Sequence, residues 1–481
     1  MTALDQIEPS LVWRHFATLC AIPRPSLGEA AARRHIVDWA ARHGLAAQTD
    51  AAGNLLVRRP ASPGREGRPG VVLQAHLDMV CQANRGIAHD FTADPIRPAI
   101  EDGWVVARDT TLGADNGIGV ALAMAALEAP NLPHPPLEAL FTVDEETGMG
   151  GARGLPPGLL QGSRMLNLDT EEWGEFTLGC AGGCDVTVTR RCPTNPPPTG
   201  FAARQVMVSG LRGGHSGIDI HRGRGNANKL LVRLLRLLEK RTDLRLCALA
   251  GGTARNALPR EAWAVVTFPA ADTSLVETIL AEQLALFREE LAGVDDAILL
   301  QANSAHPAPV LDKADQAALL AAIHAAPHGV YRMSPAFEGV VETSNNLGVM
   351  HLADGRFEAT LMVRSLRDSA TAALAEEIVS LFSLADCQAA ILGSYPGWAP
   401  NPRSPLLGLC RDVYHREFQG EAVTQVMHAG LECGLIVGTY PGLDIVSFGP
   451  TIKGAHAPGE RVDIASVARS WHLLTAILAA L

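Results

Sequence analysis

Short apolar blocks in the first 170 residues of the chain are followed closely by acidic residues or histidine. The blocks at 71–73, 140–143 and 165–168 are typical of buried β-strands, and the Ala- and Gly-rich block at 116–127 predicts a helix packed closely on a sheet. Strands that alternate with helices form a parallel sheet covered by helices. Such a sheet collects functional side chains at the carboxyl ends of its strands, so we expect an α/β domain with a site at that edge.

The region before these strands predicts one further helix and one further strand. Ser26 is followed three residues later by Glu29, which is the spacing of a capping box and predicts a helix that ends near residue 42. Residues 54–57 form another apolar block of the strand type.

The pattern changes in the middle of the chain. Residues 193–200, PTNPPPTG, are too rich in proline for regular structure, so we expect a domain boundary in or near them. Beyond this segment the order is strand, helix, strand, strand, helix, strand, which is typical of a split unit with helices on one face of an antiparallel sheet. The predicted elements are 205–209, 226–241, 244–249, 262–268, 274–291 and 297–301.

A weak internal repeat lies within the same region. Residues 253–258, TARNAL, precede the strand at 262 and resemble residues 343–348, TSNNLG, which precede a predicted strand at 357–363. A predicted helix follows each strand. We interpret this region as a duplicated α+β domain.

This duplicated domain interrupts the α/β domain. A predicted helix at 405–418, two strands and a helix at 464–478 complete the first domain after the insertion. The predicted fold is therefore a discontinuous α/β domain formed by 1–185 and 397–481, with an inserted lid domain at 186–396.

Composition and charge exclude several classes of function. The chain has 481 residues, of which 47% are hydrophobic and 19% charged, as in ordinary soluble proteins of two or three domains. The net charge of −11 argues against a nucleic acid or an anionic membrane as partner. Neither a membrane-spanning run nor a signal peptide is evident. The odd number of cysteines, nine without CxxC pairs, predicts reduced thiols and a cytoplasmic location.

Five segments place candidate metal ligands at or near the ends of predicted strands. They are QAHLD with His76 and Asp78, LGADNG with Asp115, TVDEETG with Glu145 and Glu146, LNLDTEE with Asp169, and GAHAPGE with His456. Nitrogen and oxygen ligands without a thiolate suit paired Zn²⁺, Mn²⁺ or Co²⁺. Together the segments predict a two-metal hydrolase.

Four of these segments, taken singly, also have a simpler interpretation. A His-x-Asp pair can be purely structural, adjacent acids can form a solvated turn, and His456 can be an ordinary loop histidine. The glycine loop around Asp115 could instead bind a dinucleotide. That last alternative is excluded, because the spacing is not G-x-G-x-x-G and an acid in the loop would repel pyrophosphate.

The spacing of the residues suggests roles within a shared site. His76 and Asp78 are two positions apart and lie on the same side of a strand, so Asp78 can orient a ligand imidazole. Glu145 and Glu146 reach the same site only if the strand before them has ended. One of them can then bind metal while the other acts as general base.

The motifs together resemble those of the M20 metallopeptidases and, within them, the aminoacyl-histidine dipeptidases. The resemblance covers nearly the whole chain and includes QAHLDMVCQ, TLGADNGIGVA, FTVDEETGMGGA, LNLDTEEWGEFTLGCAGG, GGHSGIDIHRGRGNANKLL, RNALPREA, HAGLECG and GPTIKGAHAPGE. It implies a catalytic α/β domain, an inserted lid domain and two metal ions, with Zn²⁺ favoured over Co²⁺ or Mn²⁺.

The resemblance also implies how the ligands are shared. His76 and Asp169 would hold one metal ion. Glu146 and His456 would hold the other, and Asp115 would bridge the two.

The remaining residues of the motifs would act on the substrate or on the ligands. Asp78 would orient His76, Glu145 would be the general base, and the peptide bond after Asp115 would be cis. In the lid, His215 would stabilise the oxyanion. Asn256 and Arg364 would hold the carboxylate of the substrate. Glu432 would hold its amino group.

The implied activity is hydrolysis of Xaa-His dipeptides of the carnosine type, with a small peptide as the partner. A tripeptidase, a carboxypeptidase or an N-acyl amino acid deacylase would use the same metal site, and a non-catalytic metal-binding protein could keep the same fold. Both a monomer and a homodimer are compatible with the sequence, so His215 could act within its own chain or from a partner subunit.

Overall fold

The computed structural model describes residues 3–481, apart from the side chains of Ala3 and Asp5. The chain divides into two compact units. The first comprises the chain up to Gly179 together with Trp398–Val426 and Leu431–Leu481, and the second comprises Cys180–Gly397 together with Met427–Gly430.

The secondary structure follows the chain in three stretches. Before the insertion the helices are α1 Ser10–Cys20, α2 Ala30–Arg42, α3 Ala114–Glu128, α4 Glu145–Gly148 and α5 Gly150–Arg153, and the strands are β1 Ala46–Thr49, β2 Leu55–Arg59, β3 Val71–His76, β4 Ala99–Glu101, β5 Trp104–Val106, β6 Leu137–Thr142, β7 Arg164–Asn167 and β8 Glu175–Cys180. The insertion contains the strands β9 Gly182–Arg191, β10 Thr194–Asn195, β11 Phe201–Ser209, β12 Arg245–Gly251, β13 Ala262–Pro269, β14 Leu299–Ser304, β15 Val310–Leu311, β16 Gly329–Met333, β17 Val341–Ala353, β18 Arg356–Ser365 and β19 Gln388–Tyr395, and the helices α6 Ala227–Arg241, α7 Thr273–Glu290, α8 Lys313–Ala325 and α9 Asp368–Ser383. After it come α10 Pro405–Phe418, β20 Val423–Met427, α11 Glu432–Thr439, β21 Asp444–Ser447, β22 Ile452–Lys453, β23 Arg461–Asp463 and α12 Ile464–Ala480.

The first unit is built on an eight-stranded sheet in the order β1-β2-β6-β3-β7-β21-β8-β20. Its four central strands β6, β3, β7 and β21 are parallel, so their carboxyl ends meet at one edge. Every residue of β3 and β6 is buried, as expected for strands covered on both faces. The predicted α/β class is confirmed.

The predicted Ala- and Gly-rich helix is α3, and nearly its whole length is buried. Its small residues allow close packing. A Cβ atom added to Gly119 would lie 2.6 Å from the carbonyl oxygen of Leu168, just after β7. This packing brings the start of α3 next to the ends of the central strands.

The second unit is one antiparallel sheet in the order β14-β11-β13-β12-β17-β18-β9-β19. The two halves of this order mirror each other: β14-β11-β13-β12 with α6 and α7, and β19-β9-β18-β17 with α8 and α9. Side chains from all four helices share one hydrophobic core. The predicted duplication is therefore confirmed, with β9 as the first strand of the second copy.

Two details predicted for this part of the chain were wrong. Residues 253–258 lie between β12 and β13, whereas residues 343–348 lie inside β17, so the two similar segments occupy non-equivalent places. The proline-rich segment at 193–200 also contains regular structure, because Thr194 and Asn195 pair with Leu311 and Val310. The prolines flank this short strand and leave its backbone amides free to pair.

Among the described residues, no helix combines the length and apolar character needed to cross a bilayer. None of the nine cysteines, all within the described residues, forms a disulfide bond.

Candidate metal centre and active site

The central strands bring the candidate ligands to one edge of the first unit. His76 is the last residue of β3 and pairs in register with Thr142, the last residue of β6. Asp169 follows the end of β7 by two residues, and His456 lies in the loop between β22 and β23. Residues that are far apart in sequence therefore meet at the same edge.

The side chains form two groups that share Asp115. His76 Nε2 lies 3.1 Å from Asp115 Oδ1 and 3.4 Å from Asp169 Oδ1. His456 Nε2 lies 3.1 Å from Asp115 Oδ2 and 3.1 Å from Glu146 Oε2. The two carboxylate oxygens of Asp115 are thus divided between the two groups.

The donor atoms of both groups suit divalent cations. A neutral imidazole nitrogen offers one proton or one lone pair, yet each Nε2 here faces two carboxylate oxygens. Glu146 Oε1 is buried without a hydrogen-bond partner. Donor atoms of His76, Asp115 and Glu146 all lie within 4.8 Å of one another. Mixed imidazole and carboxylate donors of this kind fit Zn²⁺, Mn²⁺ or Co²⁺.

The electrostatics of the cluster show a shortage of positive charge. Burial raises the pKa of Glu145 well above its ordinary range, and the charges of Asp169, Glu432 and Glu146 raise it further. Hydrogen bonds to Asp115 and Glu146, only partly offset by burial, raise the pKa of His456 to about 11. Crowded carboxylates of this kind favour a bound cation.

Asp78 holds both His76 and the segment that carries the adjacent acids. Its Oδ1 lies 3.4 Å from His76 Nδ1, an ion-pair distance, although Nδ1 has no hydrogen bond of good geometry. The backbone amides of Glu145 and Glu146 donate to its two oxygens at 3.1 Å each. Burial alone would raise the pKa of Asp78, but His76, the Ser26 hydroxyl and the Glu146 amide lower it to about 2.

Ser26 contributes to this site instead of starting a helix. Its hydroxyl donates to Asp78 Oδ2 at 2.7 Å, and α2 begins only at Ala30. Glu29 accepts the amides of Leu27 and Asp144 through Oε1. The predicted capping box was therefore wrong, because both side chains have partners outside the helix.

Strand β6 ends before Glu145 and Glu146. This is the condition under which both side chains can reach the same site. β6 stops at Thr142, and Asp144 has a left-handed backbone with φ of 56°. Glu145 and Glu146 begin the short helix α4. Side chains of neighbouring residues are therefore not forced to opposite faces of a strand.

Asp115 is presented by the first turn of α3. The peptide bond between Asp115 and Asn116 is cis. Asn116 Nδ2 donates to the carbonyl oxygen of Leu168 at 2.9 Å and also to Asp169 Oδ1. Asn116 therefore connects the helix that carries one candidate ligand to the strand end that carries another, a contact that sequence reasoning missed.

Glu432 lies at the start of α11, and its carboxylate is buried within the first unit. Oε2 accepts hydrogen bonds from Gln74 Nε2 at 2.7 Å and from Thr142 Oγ1 at 2.6 Å, whereas Oε1 has no partner. Burial raises the pKa of Glu432 to about 8, with the charges of Asp169 and Asp78 acting in the same direction.

The second unit contains three of the candidates, namely His215, Asn256 and Arg364. His215 and Asn256 are close together in it. His215 Nδ1 accepts the backbone amides of Gly217 and Ile218 at 3.1 Å each. Burial and the charge of Arg364 lower the pKa of His215 to about 4, so it is neutral at pH 7. Because Nδ1 is an acceptor, the proton of the neutral ring is on Nε2.

Asn256 lies beside this histidine through the backbone. Its carbonyl oxygen accepts the amide of Ser216 at 2.8 Å, and His215 forms an isolated bridge with Ala257. Asn346 Nδ2 donates to the carbonyl oxygens on both sides of Asn256, those of Arg255 and Ala257.

Arg364 is a buried cation, with 4% of its surface exposed. Nη1 donates to the Tyr395 hydroxyl at 2.9 Å, and Nε is 3.4 Å from Ser216 Oγ. Among the described residues no carboxylate lies within ion-pair distance of it.

His428 lies in the same unit, and its Nε2 is 2.7 Å from Ser344 Oγ. Sequence reasoning missed His428 as well, because its motif HAGLECG gives no spacing signal for this position.

The chain is similar to known peptidases in sequence. Residues 72–480 match the model of the peptidase family M20/M25/M40. The cytosol non-specific dipeptidase of Escherichia coli (strain K12) is 45% identical over 480 residues, which cover 99% of each chain.

Solved structures give the same result. The aminoacylhistidine dipeptidase of Vibrio alginolyticus is 43% identical and superimposes with a TM-score of 0.92, covering 100% of this chain and 98% of that one. A tripeptidase from Staphylococcus aureus shares the fold, at 15% identity and a TM-score of 0.56, with 98% of each chain covered. The chain belongs to peptidase family M20/M25/M40.

Proposed function

We propose that this chain is a dinuclear-metal dipeptidase that hydrolyses Xaa-His dipeptides, with Glu145 as general base. The observation that carries the proposal is the division of the two oxygens of Asp115 between two His–carboxylate pairs. The names of the two full-length relatives support a dipeptidase. The name of the Vibrio alginolyticus relative specifies histidine, whereas the name of the Escherichia coli relative says non-specific. We therefore propose Xaa-His dipeptides as one part of the range of dipeptide substrates.

Two divalent ions, with Zn²⁺ favoured, would occupy the two groups. His76 and Asp169 would hold one ion, and Glu146 and His456 would hold the other. Asp115 would contribute to the binding of both ions. Ions bound there would supply Lewis-acid activation of the water nucleophile and of the scissile carbonyl.

Glu145 would move the proton. Its backbone amide donates to Asp78, and its carboxylate interacts electrostatically with His76, Asp169 and Glu146 of the cluster. From this place it would accept a proton from the attacking water and return it to the leaving amine.

His215 would stabilise the oxyanion. The histidine is neutral and carries its proton on Nε2, so it can donate a hydrogen bond without first losing or gaining a proton. A preorganised donor of this kind stabilises the charge that develops on the carbonyl oxygen.

Three residues would recognise the ends of the dipeptide. Arg364 is buried without a carboxylate partner among the described residues, so its guanidinium can receive the substrate carboxylate, assisted by Asn256. Glu432 has one oxygen without a partner and could receive the substrate ammonium, which would stabilise the carboxylate form.

The proposal also includes location and assembly. The name of the Escherichia coli relative supports a cytoplasmic enzyme. A small peptide is the expected partner, and the protein is proposed to act as a monomer or a homodimer.

The general base is tested with Glu145→Gln. We expect hydrolysis to fall by about 10²–10⁴-fold while the metal content stays unchanged, because the variant keeps the size of the side chain and removes its basicity. The matched control is Glu172→Gln, which changes a half-buried glutamate paired with Lys453. Near-normal turnover of Glu145→Gln would contradict the assignment.

The substrate class is tested with a panel of carnosine-like Xaa-His dipeptides, other dipeptides, tripeptides and N-acetyl amino acids. Dipeptides should be cleaved, and the other two groups should be poor substrates. Preferred cleavage of tripeptides or N-acetyl amino acids would instead indicate one of the related hydrolases of this family.

A further inference from the structure

Glu460 connects the two loops that carry Asp115 and His456. It lies four residues after His456, directly before β23, and only 2% of its surface is exposed. Its Oε2 accepts the backbone amides of Leu112 at 2.7 Å and Gly113 at 2.9 Å. Its Oε1 accepts those of Ala114 at 2.8 Å and Asp115 at 3.2 Å. Four consecutive amides thus converge on one carboxylate.

Arg24 holds the opposite side of the same loop. It is 2% exposed, and its Nη2 donates to the carbonyl oxygen of Gly113, whose amide donates to Glu460. Its Nη1 donates to the carbonyl oxygens of Leu77 and Asp78 at 2.9 and 3.0 Å. The guanidinium therefore links the loop of Asp115 to the end of β3, next to His76.

Little space is left for the loop to move. Gly113 has a φ of 69°, a conformation that favours glycine, and a Cβ atom added there would lie 2.5 Å from Arg24 Nη2. The backbone that presents Asp115 is therefore fixed on both sides by charged side chains.

From these contacts we infer that Glu460 is a positioning residue for the metal centre. It sets the backbone of Asp115 relative to the loop of His456, so that one carboxylate oxygen faces each His–carboxylate pair. Arg24 complements it by setting the same backbone relative to His76. This inference rests on the proposed function, because it concerns how the proposed ligands are held.

A purely structural role is the competing explanation. Leu112–Asp115 leads into α3, which begins at Ala114, and a carboxylate at the first amides of a helix stabilises it by about 0.5–2 kcal/mol wherever the helix lies. Such a role would change stability alone. A positioning role must also change the affinity for the metal.

The chain offers a matched control for this distinction. Glu138 is also a buried glutamate of the first unit, with 5% of its surface exposed, and it accepts the amides of Gln161 and Gly162 at 2.8 Å each. It lies near the amino end of β6, whereas the proposed ligands lie at the carboxyl ends of the strands.

The test measures the affinity of the whole chain for Zn²⁺ alone, by competition with a chromogenic chelator, for the wild type, Glu460→Gln and Glu138→Gln. Urea unfolding of the metal-free proteins gives the stability of each. Loss of an outer-sphere partner weakens metal binding by about 10–100-fold, and we expect Glu460→Gln to fall in that range. Glu138→Gln should bind Zn²⁺ within about 3-fold of the wild type, even if it is destabilised as much.

The outcomes separate the two claims. Wild-type affinity in Glu460→Gln, or an equal loss in both variants, would overturn the positioning role and leave the proposed function intact. A wild-type protein that binds no Zn²⁺ would contradict the proposed function itself. If Glu460→Gln does not fold, Glu460→Asp takes its place, and its shorter acid should also weaken Zn²⁺ binding; unchanged affinity there would overturn the inference.

Discussion

Asp78 contacts several residues of the candidate site besides His76. It accepts the Ser26 hydroxyl and the amides of Glu145 and Glu146, and it lies within ion-pair distance of His76. One carboxylate therefore orients a proposed ligand and also places the proposed general base.

Asp78→Asn is expected to weaken Zn²⁺ binding by about 10–100-fold and to lower kcat/KM as well. The amide keeps the shape of the side chain, but it presents N–H donors to groups that are themselves donors and removes the charge beside His76. Zinc titration and steady-state kinetics measure the two effects.

Asp444→Asn is the control for this prediction. Asp444 likewise accepts a hydroxyl and a backbone amide, those of Ser404 and Leu406, at the amino end of β21. Equal losses of zinc affinity in the two variants would mean that Asp78 contributes only stability.

The sequence indicates candidate ligands better than it indicates the residues that hold them in place. His76, Asp115 and Asp169 could be proposed because their residue types follow predicted strands or begin a predicted helix. The contacts of Ser26 with Asp78 and of Glu460 with Leu112 span 52 and 348 residues. No local pattern reports such pairs, since each depends on the complete fold.

At the scale of elements, the packing of α3 on the end of β7 determines where Asp115 lies. A Cβ atom added to Gly119 would lie 2.0 Å from Asn116 Oδ1 and 2.6 Å from the carbonyl oxygen of Leu168. The same Asn116 side chain donates to Asp169.

Gly119→Ala is expected to destabilise the protein by about 1–3 kcal/mol and to weaken Zn²⁺ binding, because α3 must move away from β7. Gly408→Ala in α10 is the control, since a Cβ atom there meets open space. The control should be neutral or stabilising by up to about 1 kcal/mol. Urea unfolding compares the two variants, and equal stability of both would contradict the packing argument.

Elements with local signals were predicted well. Helix α10 has the predicted bounds because Ser404 Oγ accepts the amide of Leu407 and Pro405 opens the first turn. Helix α11 was missed, since its glycine-containing sequence has no helical period.

Strand β17 was missed because its first half is polar and yet buried. Thr343, Ser344, Asn345 and Asn346 are each at most 2% exposed. Each has a hydrogen-bond partner in the second unit, such as Ser365 for Thr343 and His428 for Ser344. Hydrophobic periodicity cannot indicate a strand whose buried positions are polar.

At the scale of the whole molecule, buried histidines make stability depend on pH. Burial, together with the charges of Arg364, His215 and His221, lowers the pKa of His428 to about 3. The unfolded chain has an ordinary histidine pKa of about 6.5, so between these values it binds a proton that the folded protein does not. The contribution of His428 to stability is therefore fully present above about pH 6.5 and is lost progressively as the pH falls towards 3.

His428→Gln is expected to reduce this pH dependence by up to about 1.4 kcal/mol per pH unit below pH 6.5, because a titrating group is removed. Glutamine can keep the hydrogen bond to Ser344. Urea unfolding of both proteins at pH 7 and pH 5 measures the difference. Parallel loss of stability in both proteins would show that His428 is not the group responsible.

The family and the duplicated second unit could both be predicted, because the motifs extend over almost the whole chain and the order of elements repeats. The assignment of Met427–Gly430 to the second unit could not be predicted. That short segment contains His428, whose partner Ser344 is 84 residues earlier in the chain.

The most direct test of the account is the number of metal ions bound by the wild-type chain and by two ligand variants, measured by elemental analysis after saturation with Zn²⁺ and removal of free metal. We expect two equivalents for the wild type, one for His456→Ala, and fewer than one for Asp115→Ala, since its carboxylate serves both groups. One equivalent or none in the wild type, or two equivalents in Asp115→Ala, would contradict the shared two-ion site.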